Sequence, residues 1–291
     1  MSTEEAKPLT GKVACVTGAS RGAGKGIAEA LGAEGATVYV TGRSKQEGDA
    51  ALPGTIGATA EAINAAGGHG IAVACDHADE AQTAALFEQI KSEQNRLDIL
   101  VNNACFLHDE LIQDGGFWEK SLDLVKIIDV GLRSSYVASW HAAKIMAGQK
   151  DGLIAFTSSF GGNCYMHGAA YGAQKAGVDR FAYDMALDLK DYNVAAVSIW
   201  MGMLRTDRTR KAMELEPEKY QGFWDIAETP GFTGHILSAL YRDPQRADKS
   251  GKVLIGAELA ADYGLTDEGR QPPSHREMLG GPPTVNPAIV Q

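Results

Sequence analysis

One glycine turn, held between a strand and a helix, constrains this 291-residue chain more than any other feature. Lys12 to Thr17 (KVACVT) is an apolar run of strand length, and Ile27 to Glu34 is Ala-rich and helix-forming. Thr17-Gly18-Ala19-Ser20-Arg21-Gly22-Ala23-Gly24 joins them, with Gly18, Gly22 and Gly24 spaced TGxxxGxG. Glycine permits a tight turn and lets a pyrophosphate approach the free N–H groups at a helix N-terminus.

The same alternation continues along the chain. Strands are expected at Thr37 to Thr41, Ile71 to Cys75, Leu97 to Val101, Leu153 to Thr157, Val194 to Trp200 and Lys252 to Ile255. Helices are expected at Thr55 to Ala66, from Asp79 with Gln82 completing a capping box, over about Leu122 to Ala147, and over about Ala169 to Lys190. Strand–helix alternation predicts an α/β fold: a single doubly wound Rossmann-type domain, its seven-stranded, mostly parallel sheet covered by helices on both faces. Residues 1–10 read as an N-terminal arm and 11–266 as the domain. Thr206 to Glu228, charged and irregular, reads as a mobile flap within it. From Asp267 the chain holds five of its ten prolines, which suggests an extended tail over 267–291.

A formal net charge of −10 argues against a nucleic-acid surface. No apolar stretch approaches the roughly 20 residues needed to cross a bilayer, and MSTEEAKPLTGK does not read as a secretory signal. Cys15, Cys75, Cys105 and Cys164 lie far apart and show no metal-ligand spacing, so no metal site is expected. Reduced, buried thiols in a cytoplasmic protein are the simplest reading.

The TGxxxGxG spacing resembles that of the short-chain dehydrogenase/reductase family, and further motifs follow in the family's order. Asn102-Asn103-Ala104 comes after the fourth strand, with Cys105 where the family has glycine. Tyr171 and Lys175 form a YxxxK pair, and Ser158 stands thirteen positions before Tyr171, the family's serine spacing. Gly202 and Thr206 follow the sixth strand, with Met201 in place of a proline. Phe117-Trp118-Glu119, Val130-Gly131-Leu132-Arg133 and Ser250-Gly251-Lys252-Val253-Leu254 resemble a mammalian subgroup of that family that contains an NADPH-dependent reductase of carbonyl compounds.

The resemblance implies a catalytic set of Ser158, Tyr171 and Lys175. A free tyrosine holds its proton too tightly for efficient transfer at neutral pH. Lys175, one helical turn on, shares its face and would stabilise the phenolate. Ser159, adjacent to Ser158, is the alternative hydroxyl; along a strand the two point to opposite faces. The cofactor would be held by Gly18, Ser20, Arg21, Gly22, Ala23, Gly24, Arg43, Asp76, His77, Asn103, Tyr171, Lys175 and Thr206. The end of the second strand, Thr41-Gly42-Arg43, lacks the acid that usually binds the ribose hydroxyls of NAD, and Arg21 and Arg43 suit a 2′-phosphate. NADP(H) is therefore the expected cofactor. A hydrophobic carbonyl or alcohol is the expected substrate, and a homodimer or homotetramer the expected assembly. The family's helix asparagine is replaced by Gly131, with Asp129 a candidate substitute. That departure keeps open a second reading, a non-catalytic NADPH-binding sensor or scaffold.

Overall fold

The computed structural model describes residues 6–290, so the first half of the expected N-terminal arm and the last tail residue lie outside the described residues. Seven strands form one sheet: β1 (Val13–Val16), β2 (Thr37–Gly42), β3 (His69–Ala74), β4 (Ile99–Asn102), β5 (Gly152–Ser158), β6 (Val194–Trp200) and β7 (Val253–Ile255). Their order is β3-β2-β1-β4-β5-β6-β7, and every pairing is parallel. The chain winds one way from β1 to β3 and the other way from β4 to β7. The carboxyl ends of β1 and β4 therefore part and leave a crevice between them.

Strands buried on both faces feed two cores. On one face Ala14 and Val16 of β1 pack with α1 (Gly22–Ala33) and α8 (Phe232–Arg242), through Ile27, Leu31, Ile236 and Leu240. On the other, Val13 and Cys15 meet α3 (Glu80–Gln94), α4 (Ser134–Gln149) and α5 (Ala169–Leu189), through Phe87, Ile90, Ala142 and Val178. The helix α2 (Ile56–Ala65) lies beside β3, and Thr55 caps it through Ala58 N. Asp79 caps α3 through the amides of Ala81 and Gln82. The Gln82 carboxamide donates to Asp79 and accepts from Asp76 N, so the reciprocal half of the expected capping box is displaced.

Three elements differ from expectation. The long helix expected from Leu122 breaks. A 3-10 turn at Leu122–Val125 is followed by a kinked π-helical turn at Ile128–Arg133, and regular α-helix begins only at Ser134. The break falls at Gly131, whose φ of 146° excludes ordinary side chains. The flap is helical rather than irregular, as α6 (Asp207–Leu215) and α7 (Pro217–Ile226). Neither helix buries a residue, so neither carries a core-facing stripe. Beyond α9 (Gly256–Asp262) the tail is extended except for α10 (Arg276–Leu279), and it is tied back to the body. Asp267 is buried, Gln271 donates to the Ala257 carbonyl, and Arg276 pairs with Glu258. Among the described residues no helix is long and apolar enough to cross a membrane.

The turn before α8 packs directly on α1. A Cβ added to Gly26 would lie 2.3 Å from the Pro230 backbone carbon. Gly26→Ala is expected to lower stability by about 1–3 kcal/mol, read as a reduced urea midpoint. An unchanged midpoint would contradict this close packing.

Candidate active site

The crevice is braced by hydrogen bonds between β1 and β4. Thr17 Oγ1 accepts from the amides of Asn103 and Ala104, both at 2.9 Å. Asn103 Nδ2 donates to the carbonyls of Thr17 (2.9 Å) and Gly18 (3.1 Å). Only glycine suits this turn. Gly18 has φ of 67°, and a Cβ there would meet Ala104 Cα at 2.7 Å. A Cβ on Gly24 would lie 2.4 Å from the Gly18 carbonyl oxygen and from Asn103 Nδ2.

The helix α1 starts directly behind the turn. No side chain caps its N-terminus, and no acidic residue sits in its first turn. Its first amides are thus left for an external acceptor, and the dipole favours an anion. A cleft of about 770 Å³ opens over this N-terminus, within the usual size range of cofactor sites. Every residue expected to hold the cofactor lines it, from Gly18 at the turn through Asp76 and His77 to Tyr171, Lys175 and Thr206. Uncapped amides, absent side chains and cleft volume together fit a dinucleotide.

At the far end of the cleft two guanidiniums come together. Arg21 is fixed by hydrogen bonds to Ser44 Oγ, Pro53 O and Gly54 O, at 2.8–3.0 Å. Burial, with the like charge of Arg43, lowers its pKa below the ordinary value against the raising effect of Glu47 and Asp207. Arg43 is 69% exposed, and its carboxylate neighbour Asp76 is 4.0 Å away. The loop over residues 44–54 that orients Arg21 is an addition to the sequence-derived site. His77 is buried, with Nε2 2.8 Å from Thr41 Oγ1. Burial pushes its pKa down to about 4, so it is a neutral hydrogen-bonding group at pH 7. Thr206 stands opposite Gly22, but its hydroxyl is engaged in capping α6 through Thr209 N rather than free toward the cleft.

At the near end the structure brings Ser159, not the expected Ser158, to Tyr171. Ser158 ends β5 with its side chain turned into the core. It is fully buried, absent from the cleft wall, and its hydroxyl donates to the Lys175 carbonyl at 3.5 Å. It also reaches Asp179, whose carboxyl binds Ser198 and Trp200 and whose pKa burial raises. Ser159, one residue on and on the opposite side, lies with Oγ 2.9 Å from the Tyr171 hydroxyl. The alternation of strand side chains sends the two hydroxyls to opposite sides, whatever the count of residues to Tyr171.

Tyr171 is gripped on several sides. A Cβ on Gly161 would meet its Cε1 at 2.6 Å, and the His167 ring packs edge-on at 5.0 Å. Lys175 is buried one turn along α5, its Nζ bonded to the Thr157 carbonyl at 3.2 Å and 5.4 Å from the Tyr171 ring centroid. The Gly131 carbonyl accepts from Gln174 Nε2 (3.0 Å) and Ser135 Oγ (2.7 Å). A Cβ on Gly131 would lie within 3.4 Å of Gln174 and Cys105 side-chain atoms, so these two fill the place of a larger side chain. Asp129 is exposed and cannot substitute there. The adjoining wall is apolar, with Phe106, Leu107, Met201 and Leu204. Three other aromatics do not line this wall: Phe160 packs in the core on Trp200, and Phe117 and Trp118 stand in solvent. Such a constellation can hydrogen-bond a carbonyl oxygen through two hydroxyls and give it a proton.

Comparison with known proteins places these features in a wider set. The sequence profile described as short chain dehydrogenase matches residues 12–217. The chain is 39% identical over 284 residues to dehydrogenase/reductase SDR family member 1 of Mus musculus, covering 94% of this chain and 88% of that protein. Identity to its Homo sapiens counterpart is 37% over 278 residues, covering 92% and 86%. A 3-oxoacyl-[acyl-carrier-protein] reductase of Synechocystis sp. is 35% identical over 250 residues, covering 84% and 95%. Among solved structures, a mutant short-chain dehydrogenase/reductase of Serratia marcescens superposes with a TM-score of 0.71 at 30% identity, covering 85% of this chain and 97% of that one.

Proposed function

This chain belongs to the short-chain dehydrogenase/reductase family, and on that premise we propose that it is an NADP(H)-dependent oxidoreductase acting on an apolar ketone, aldehyde or secondary alcohol. The observation that carries the reading is the 2.9 Å contact between Ser159 and Tyr171, with Lys175 one turn away, beside a glycine-lined helix N-terminus. Gly18 to Gly24 would hold the pyrophosphate, Asp76 and His77 would flank the adenine, and Tyr171 and Lys175 would hold the nicotinamide ribose. Bound there, the nicotinamide supplies or accepts the hydride.

The side chains do the rest. Ser159 and Tyr171 fix the substrate oxygen between them. In reduction the Tyr171 hydroxyl proton passes to that oxygen. The Lys175 ammonium stabilises the phenolate left behind, and oxidation reverses each transfer. Ser158 has no part in this scheme. The apolar wall of Phe106, Leu107, Met201 and Leu204 supports a hydrophobic substrate. The sensor reading loses ground because all the groups that move a proton are assembled. Arg21 and Arg43, with no acid at the end of β2, support NADP(H) over NAD(H).

A homodimer or homotetramer through α4 and α5 belongs to the same reading, supported by the half-exposed Tyr136 and Trp140 on α4. So do a cytoplasmic setting, supported by four free cysteines, and a division into a domain over 11–266 with its flap and a tail over 267–291.

A panel of ketones and alcohols assayed with NADPH tests the catalytic assignment. Ser159→Ala and Tyr171→Phe are expected to lose turnover by about 10²-fold or more with cofactor binding kept. Ser158→Ala is expected to keep turnover and lose about 1 kcal/mol of stability. The reverse pattern for the two serines would overturn the assignment. Arg43→Ala is expected to weaken NADPH binding about tenfold or more while leaving NADH binding unchanged. Equal losses for both cofactors would contradict a 2′-phosphate site.

A further inference from the structure

A buried carboxyl group that the proton-transfer scheme does not use sits at the root of the flap. Glu228 is 2% exposed. Its Oε1 accepts from Gly202 N at 3.2 Å, and its Oε2 has no partner. The two ends of the flap meet around it. Glu228 N donates to Met203 O at 2.8 Å, Arg205 N donates to Glu228 O at 2.9 Å, and Leu204 bridges Glu228 in parallel fashion. The residues on the near side of this junction, Met201, Leu204 and Thr206, are part of the cofactor cleft wall.

The charged groups packed around Glu228 offer it no ion pair. The two arginines of the junction are engaged elsewhere. Arg205 binds the Ala227 carbonyl and Glu268, and Arg270 binds the carbonyls of Asp225 and Ala227. Asp267, buried in the tail, accepts from Thr229 N and Thr229 Oγ1 at 2.7 and 2.5 Å, directly after Glu228. A carboxylate here would be a buried charge with a single N–H donor, a second carboxyl group for a neighbour and only the partial offset of the Arg270 charge, which forms no ion pair with it. Such a charge is costly, whereas a neutral carboxylic acid is not.

We propose that Glu228 is a positioning residue whose neutral form latches the two ends of the flap beneath Gly202, so that its protonation state controls closure of the flap over the cofactor cleft. The consequence for catalysis rests on the oxidoreductase reading; the latch itself does not.

The sign follows from proton linkage. Burial, reinforced by Asp267, outweighs the Gly202 hydrogen bond and the Arg270 charge and pushes the Glu228 pKa up to about 7, whereas an opened flap returns the group to ordinary carboxylate behaviour. The closed flap therefore binds the proton more tightly than the open one. Closure is favoured at the acid end, weakens as pH rises from the ordinary carboxylate range to about 7, and changes no further above that.

Hydrogen exchange of the cofactor-free, full-length protein tests the latch apart from the enzyme reading. The readout is the ratio of wild-type to Glu228→Gln exchange rates at amides 203–206 and 226–229, which cancels the intrinsic pH dependence of exchange. Glutamine keeps the shape and stays neutral. The ratio is expected to be small at pH 5 and to be larger by roughly a hundredfold, about two pK units' worth, at pH 8. A ratio that does not change with pH overturns the proposal. A second variant, Asp267→Asn, removes the neighbouring carboxyl charge and serves if the glutamine variant does not fold. The wild-type transition in exchange is expected to move to lower pH in this variant, and an unmoved transition also overturns the latch.

Discussion

The clasp between Thr17 and Asn103 is the constraint on which the site depends. A parallel sheet that winds in two directions must part its strands at the reversal, and here β1 and β4 part at their carboxyl ends. One hydroxyl accepting two amides, and one carboxamide donating to two carbonyls, hold the parted ends in register. The glycine turn is bound into this clasp so tightly that a methyl group at Gly18 or Gly24 would collide with it. The N-terminus of α1 is thereby aimed, uncapped, into the crevice. Without the clasp the first amides of α1 would point at nothing in particular.

The groups proposed to move the proton use the opposite bank of the same crevice. Ser159 comes from the end of β5, and Tyr171 and Lys175 from α5, which packs on β5 and β6. Two successive serines leave the strand on opposite sides. The sheet therefore sends one hydroxyl into the core, to the Lys175 carbonyl and Asp179, and the other to Tyr171. The inward serine helps hold α5 against the sheet and so fixes the helix that carries the phenol and the ammonium. The flap closes the third side, with both its ends gathered at Glu228.

Much of this was legible in residue order alone. The β6 strand falls at Val194–Trp200 as its apolar run predicts, and the glycine spacing marks the cofactor end of the site. What stayed hidden has physical causes. Counting from Tyr171 favours Ser158, but a count says nothing about which face a strand residue presents. The break at Gly131 is masked because helical patterning resumes on its far side, and a φ of 146° leaves only a glycine as its trace. The flap helices bury no residue, and their charged composition reads as irregular chain. Glu228 stands out only once the fold brings Gly202, Leu204 and Asp267 to it from distant parts of the chain.

The central claim, that this crevice couples a nicotinamide to a phenolic proton donor, is tested most directly by isotope transfer. NADPH deuterated at C4 of the nicotinamide on the transferable face would be incubated with the protein and a set of hydrophobic ketones, and the alcohols formed examined by mass spectrometry. The account predicts deuterium on the carbinol carbon of at least one product. Tight NADPH binding with no label reaching any alcohol, from either labelled face, would contradict it.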